Sequence, residues 1–281
     1  VSEKVFAKCF IKNLRANFND GSIIEICTQI FNETLGENFF RDSNLKVAFC
    51  DSENRTSAYE EFCEQFFQLY LREGYSRTLS FVAQAFTNEN DNIYGILVCL
   101  DAGPETDLWY QIILHEMCHI FCIMHEIGGE NFEAKYSEDN IGGNLKSWNI
   151  SIGYAVWREF IADYIASQFN PLIAPLTSAE LRKAIRELDD GVNMDNPDRI
   201  QNISQVLCHI FLTPHIQGAE DEETIIQFLM KNRIFAKKAR CETYRNLISL
   251  ISKQLNHNPC WEISPAFIEK LGIAYALPIK Q

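Results

Sequence analysis

Apolar and polar positions follow two different periods along the first part of the chain. At 22–35 the apolar residues recur every three or four positions, which predicts an amphipathic helix that Gly36 ends. The run LKVAFCD at 45–51 is typical of a β-strand. Two further β-rich runs, at 78–86 and 93–100, are separated by the polar segment TNENDN, and this arrangement predicts a hairpin.

Helical spacing is clearest in the aromatic-rich segment that follows the first strand. From Tyr59 to Tyr70 the aromatic residues keep this spacing without a break. Ser57 and Glu60 have the spacing of a capping box, which predicts that the helix begins there. Gly74 is predicted to end it.

The rest of the chain is predominantly helical in its pattern. A helix is predicted from about 106 to 125, and a polar loop at 130–146 separates it from a long helix at about 150–169. Ser264-Pro265 is predicted to begin a last short helix that Gly272 ends. Between these elements, helical spacing recurs at 181–188, 200–212, 224–230 and 244–255.

This order of elements predicts an α+β fold. Mixed α and β elements come first and helices follow. We therefore expect a catalytic region at 1–172, with a small mixed sheet and an active-site helix, and a helical C-terminal subdomain at 173–281 packed against it.

Composition and charge narrow the classes of function. Of the 281 residues, 47% are hydrophobic and 22% are charged, which is ordinary for a soluble globular protein. The formal net charge of −13 opposes non-specific attraction to nucleic acid and to anionic membrane surfaces. No stretch approaches the run of about 18 apolar residues that a membrane helix needs. We expect neither nucleic acid nor a membrane among the partners.

The ten cysteines point to a reducing compartment. None forms a CxxC pair, and most lie inside apolar runs such as ILVCL and QVLCHIF, which predicts buried free thiols. A disulfide framework is the weaker interpretation, because a chain of this length does not need one. The first residues, VSEKVFAKCF, lack the pattern of a signal peptide, so a cytoplasmic location is expected, although a chain that begins at Val1 leaves a removed leader open.

The strongest chemical signal is the HExxH motif HEMCH at 115–119. On a helix, positions i and i+4 lie one turn apart on the same face, so the imidazoles of His115 and His119 can reach one metal ion. Glu116 points about 100° away around the helix axis, where it can accept a proton from bound water instead of binding the metal. Two imidazoles leave room for a third ligand and a water, as in catalytic zinc sites. The simpler alternative is one helix face that happens to carry two histidines.

A second pair with the same spacing supports the metal site. Glu159 and Asp163 lie four residues apart on the next strong helix, so both carboxylates face one way. Two acidic side chains on a buried face are costly unless something positive compensates them. A zinc ion and a zinc-bound histidine would do so. We therefore predict one zinc ion per chain, Glu159 as its third ligand, and Asp163 as the acceptor that holds one histidine N–H.

HEMCH followed by EFIAD resembles the gluzincin peptidases, the thermolysin-like zinc enzymes with an HExxH helix and a downstream ExxxD helix. The closer local resemblance is to the IrrE/ImmA-type bacterial and phage metallopeptidases, whose second helix has E-x-x-A-D-x-F-A followed by a proline. The segment 159–166 and Pro171 fit that pattern approximately. The resemblance covers residues 100–171 and implies a zincin-like catalytic half, zinc as the metal and Glu116 as general base. The longer loop between the motifs and the long helical C-terminus depart from the smaller family, so its repressor substrates are not carried over.

The expected function is hydrolysis of peptide bonds in a peptide or protein substrate. Zinc lowers the pKa of bound water toward about 7, and Glu116 takes the proton and passes it to the leaving amine. A further side chain is needed to stabilise the oxyanion. Packing or surface roles remain open for each of the four candidates, which are His209, His215, Tyr154 and Tyr136.

Two other functions remain open. An HExxH protein that has lost catalysis could act as a binding or sensor module, although the intact Glu116 argues against that. A regulatory protease could act narrowly on one partner protein, with the helical C-terminus selecting it. For the substrate itself, the strand at 93–100 is a candidate sheet edge to which an extended peptide could add. The alternative is an interior strand that is paired on both sides.

Overall fold

The structure is a computed structural model, and it describes residues 22–72, 81–88, 90–101, 109–125, 127, 145–169, 176–189, 197–212, 222–234, 238–257 and 263–276. Within them the chain forms three strands, which are β1 (Leu45–Cys50), β2 (Ala83–Asn88) and β3 (Ile93–Cys99). The described helices are α1 (Ser22–Leu35), α2 (Arg55–Phe66), α3 (Gln68–Arg72), α4 (Trp109–Met124), α5 (Leu145–Phe169), α6 (Ser178–Asp189), α7 (Pro197–Leu212), α8 (Glu222–Lys231), α9 (Lys238–His257) and α10 (Pro265–Ala276). The predicted α+β class, with a small mixed sheet and mostly helical content, is confirmed.

The three strands form one mixed sheet in the order β1-β3-β2. β1 runs parallel to β3, with Cys50 opposite Cys99. β2 runs antiparallel to β3, which confirms the hairpin, although β2 begins at Ala83 and ends two residues beyond its predicted end. Because β3 is paired on both sides, the expectation that it offers an open edge to a peptide is wrong. Its main-chain donors and acceptors are already used by β1 and β2.

The helix after β1 differs from its prediction at both ends. α2 begins at Arg55, because Asp51 Oδ1 accepts the N–H groups of Glu53 and Asn54 in a polar turn that leads into the helix. The predicted capping box is therefore wrong, and Ser57 Oγ donates instead to the carbonyl of Asn54, at 2.9 Å. The helix is also interrupted at Phe67, where φ is −136° and ψ is 49°.

Where the helix is interrupted, the side chain of Phe67 packs against β3 of the sheet. Its ring is buried and lies 5.3 Å from that of Phe62, measured between centroids. A β-carbon on Gly95 of β3 would lie 2.5 Å from the Phe67 ring, so glycine is what allows this approach. The resulting core cluster contains Cys50, Tyr59, Phe62, Cys63, Phe67, Phe86, Leu97 and Cys99.

The chain divides into two compact units, one of Val1–Phe121 with Gln168–Leu172 and the other of Cys122–Ser167 with Ile173–Gln281. In the first unit, a second aromatic group surrounds Phe31. Its ring stacks on Phe169 at a centroid distance of 4.4 Å and meets Phe40 and Phe121 edge-on. The predicted division between residues 172 and 173 stays a prediction.

In the second unit, most of the described side chains of α5 are buried, and those of Ser151 and Arg158 are exposed. Trp157 is fully buried, its indole N–H donates to the carbonyl of Ile127, and its ring meets Phe267 of α10 edge-on at 5.2 Å. Ser204 of α7 donates to the carbonyl of Val156 at 3.1 Å. Two helices of this unit, α7 and α10, thus pack against α5.

α5 and α10 meet at two glycines. A β-carbon on Gly153 would collide with the carbonyl oxygen of Ile268, and one on Gly272 would collide with the carbonyl oxygen of Asn149. The prediction that Gly272 ends the last helix is wrong, because α10 continues to Ala276. The glycine serves the close approach of two helix backbones and not a helix end.

Seven cysteines have described side chains, and all seven are buried free thiols, so the prediction is confirmed for them. Among the described helices, none combines the length and the apolar character needed to span a bilayer.

We expect Gly153→Ala to lower the free energy of unfolding by about 1–3 kcal/mol, because the added methyl meets backbone atoms that cannot rotate away. Urea denaturation followed by circular dichroism measures the loss. Ser151→Ala, at an exposed position of the same helix, is the matched control and should change stability little. Equal stability of Gly153→Ala and the parent would contradict the close approach.

Candidate metal centre

α4 presents both histidines of the HExxH motif from a mainly apolar helix. Ile113, Leu114 and Met117 are buried around them. His115 and His119 are one turn apart, and their Nε2 atoms lie 2.9 Å from each other. The two rings are perpendicular, with 4.5 Å between their centroids. The helix therefore directs one nitrogen of each imidazole toward the same point.

Glu159 of α5 completes the group. One possible ligand atom from each of His115, His119 and Glu159 lies within 4.8 Å of the others. Among the described residues, this is the single group of three or more histidine, cysteine, aspartate or glutamate side chains with such spacing. The predicted grouping of the three residues is thus present in the structure, and it could hold a metal ion.

The donor atoms fit a divalent transition metal ion. Nitrogen ligands about 2.1 Å from a tetrahedral zinc ion lie roughly 3.4 Å apart, so small ring movements would bring the two Nε2 atoms from 2.9 Å to this separation. Imidazole and carboxylate donors are used for zinc and also for other first-row ions.

Arg158 contacts the carboxylate of Glu159, a feature that sequence reasoning missed. The guanidinium Nη2 lies 3.2 Å from Oε1 and the Nε lies 3.4 Å from it. The side chain of Arg158 is 44% exposed and that of Glu159 is 15% exposed. Water screens an ion pair with so exposed a partner, so the pair contributes little energy. The only sequence signal for this contact is the adjacency of the two residues.

Glu116 is next to His115 in sequence and is not part of the group that could hold a metal ion. It follows His115 directly on α4 and is buried, at 8% exposed. Its position about 100° around the helix axis from His115 directs its carboxylate along a different side of the helix. This placement suits a group that exchanges protons near a metal and does not bind it.

Asp163 is buried on α5, one turn after Glu159. Its negative charge affects the pKa values of two residues of α7. Burial lowers the pKa of His209, and the charges of Asp163 and Glu180 oppose that shift. Burial also raises the pKa of the Cys208 thiol well above its usual value, and Asp163 adds to this effect. The role of Asp163 as the acceptor for a ligand histidine stays a prediction.

Of the four candidates for oxyanion stabilisation, two lie among the described residues and two do not. His209 lies on α7, near Asp163 and Glu180. Tyr154 is buried on α5, five residues before Glu159, which puts it about 140° away around the helix axis. Tyr136 and His215 lie outside the described residues. The stabilising role stays a prediction for each of them.

Comparison of the chain with models of protein families, with curated proteins and with solved structures found no match. The grouping of His115, His119 and Glu159, together with the buried Glu116, is therefore the ground for a proposed function.

We expect the protein to retain one divalent metal ion per chain after loading with zinc and desalting. Replacing His119 with alanine should weaken binding by more than about 100-fold, since even an outer hydrogen-bond partner is worth about 10–100-fold. Elemental analysis and competition with a chelating dye measure stoichiometry and affinity. His125→Ala, at the exposed residue directly after the same helix, is the matched control and should bind like the parent. Undiminished zinc in His119→Ala would refute the site.

Proposed function

We propose that this protein is a zinc-dependent peptidase of the gluzincin type, with a zincin-like catalytic half. The observation that carries the proposal is the group formed by His115, His119 and Glu159, whose possible ligand atoms lie within 4.8 Å of one another. The buried Glu116 next to His115 adds a proton acceptor to this group. Structural zinc sites are closed by four protein ligands, whereas three ligands and a nearby base are typical of hydrolytic sites.

The chemistry divides between the metal and the side chains. Zinc held by His115, His119 and Glu159 would supply Lewis acidity, which polarises the scissile carbonyl and makes water a nucleophile near neutral pH. Glu116 accepts the proton of the attacking water and donates it to the nitrogen of the leaving amine. A single carboxylate thus serves first as base and then as acid.

Asp163 is proposed to orient one of the two histidines. It would accept the N–H of a ligand histidine, which fixes the tautomer of the ring and its orientation toward the metal. A carboxylate in that position would also raise the basicity of the ligand nitrogen. Burial of Asp163 favours the role, because a buried carboxylate needs a positive or hydrogen-bonding neighbour.

The proposed substrate is a peptide or a protein in extended conformation. Main-chain hydrogen bonds to a sheet edge would hold such a substrate with little dependence on its side chains. Since β3 is paired on both sides, among the described strands only β1 and β2 have an edge to offer.

We expect Glu116→Gln to keep its zinc and its fold but to cleave peptides at least about 100-fold more slowly, because the amide cannot accept the water proton. Digestion of an unbiased peptide library by the zinc-loaded protein, read by mass spectrometry, identifies substrates and gives the rates. Glu61→Gln, at an exposed position of α2, is the matched control and should match the parent.

Two outcomes would count against the proposal. Cleavage by Glu116→Gln at the rate of the parent would exclude Glu116 as the base. A parent protein that holds zinc and cleaves nothing in the library or among folded proteins would favour a binding or sensor module.

A further inference from the structure

Two cysteines lie side by side at the ends of β1 and β3. Cys50 and Cys99 are directly opposite each other in the parallel register. Paired residues on neighbouring strands point to the same face with their Cα atoms about 4.8 Å apart, within the span of about 4.4–6.8 Å that a disulfide bridges. The two thiols are also near enough for Cys99 to raise the pKa of Cys50. The backbone therefore already has the spacing that a cross-link needs.

The sulfur of Cys99 also contacts charged groups. Arg55 Nε donates to Cys99 Sγ at 3.2 Å, and the thiol donates to Asp101 Oδ1 at 3.3 Å. Ser52 fixes this arrangement, because its hydroxyl donates to the same oxygen of Asp101 at 2.9 Å and accepts from Arg55 Nη2 at 3.0 Å. A cysteine that only fills a core needs no cation or carboxylate at its sulfur. Contact with an arginine is a feature of reactive cysteines.

The two thiols differ in their surroundings. Burial raises the pKa of Cys50 to about 12, and the neighbouring Cys99 adds to this shift. Cys50 is therefore a protonated thiol at neutral pH. Arg55, which also lies over the ring of Phe81 at 5.5 Å, directs its Nε at Cys99. The Cys99 sulfur thus lies between a cation, which favours negative charge on it, and the carboxylate of Asp101, which accepts its proton in a hydrogen bond.

We propose that Cys99 and Cys50 form a peroxide-reactive thiol pair, in which Cys99 is oxidised first and Cys50 then closes a disulfide between β1 and β3. In the first step the Cys99 sulfur attacks hydrogen peroxide. The S–O bond forms, the O–O bond breaks, and the thiol proton leaves with the departing hydroxide as water, which gives a sulfenic acid. Asp101 accepts the hydrogen bond of that proton, and Arg55 stabilises the sulfur as charge builds.

In the second step the Cys50 sulfur attacks the sulfenic sulfur of Cys99. The S–S bond forms, the S–O bond breaks, and a second water leaves with the Cys50 proton. Two thiols are oxidised by two electrons and one peroxide is reduced to two waters, so the reaction balances. This reactivity requires no metal and no peptidase activity.

Cys63 provides an internal comparison for the test. Cys63 and Cys99 are both fully buried in the same core cluster, so a difference in rate between them reports the polar contacts of the Cys99 sulfur and not its accessibility. Burial raises the pKa of Cys63 to about 11. The folded full-length protein is treated with hydrogen peroxide at pH 7, blocked with an alkylating reagent, digested and analysed by mass spectrometry. We expect the Cys50–Cys99 linked peptide to form at least tenfold faster than Cys63 is lost. Equal rates, or linkages in which Cys63 takes part as readily, would overturn the proposal.

Two variants separate the steps. Cys50→Ala should stop at the sulfenic acid of Cys99, which dimedone traps, whereas the parent should give little trapped product. Arg55→Met should slow the loss of the Cys99 thiol at least tenfold, with Arg41→Met as the matched exposed control. Circular dichroism establishes that each variant is folded.

Failure to trap Cys99 in folded Cys50→Ala, or unchanged oxidation in folded Arg55→Met, would each refute the assigned roles. If Arg55→Met does not fold, the comparison of Cys99 with Cys63 in the parent protein decides the proposal.

Discussion

The burial of ionisable side chains on apolar helices is the constraint on which the structure depends. His115 and Glu116 are buried in α4 between isoleucine, leucine and methionine, and Asp163 is buried in α5 beside Ala162. Removing such groups from water costs several kcal/mol for each charge that is left uncompensated. Leucine or isoleucine at these positions would satisfy packing alone. Packing therefore does not explain three ionisable groups at these positions. A metal ion bound by neighbouring residues would compensate their charge.

The three-stranded sheet precedes the histidine-bearing helix along the chain. β3 lies in the middle, held by β1 on one side and β2 on the other, and α4 is the next described element along the chain. The approach of Phe67 to Gly95 packs an aromatic cluster on β3. Sites built on regular elements hold their geometry more closely than sites built on loops. The two histidines of the candidate metal centre have this advantage because both belong to a single helix.

The elements that bear the chemistry could be predicted from the sequence because the relevant information is local. Helical spacing placed HEMCH and EFIAD on helices, and the i and i+4 positions on each helix followed from its geometry. Predictions failed where a distant part of the chain decides the outcome. The apolar run of β3 reads the same for an edge strand and a central one, and its parallel partner β1 lies more than forty residues earlier. Similarly, the aromatic spacing around Phe67 continues through the point where tertiary packing interrupts the helix.

Gly272 illustrates the same limit and has a consequence for sequence variation. A glycine after a helical segment usually signals a helix end, yet here Gly272 and Gly153 let two helix backbones touch. A larger residue at either position would push α5 and α10 apart, and the gap so opened would then accommodate a larger residue at the other. The effects of substitution at the two positions are therefore non-additive. Residues 153 and 272 form one epistatic unit, in which the tolerance of each position is set by the occupant of the other.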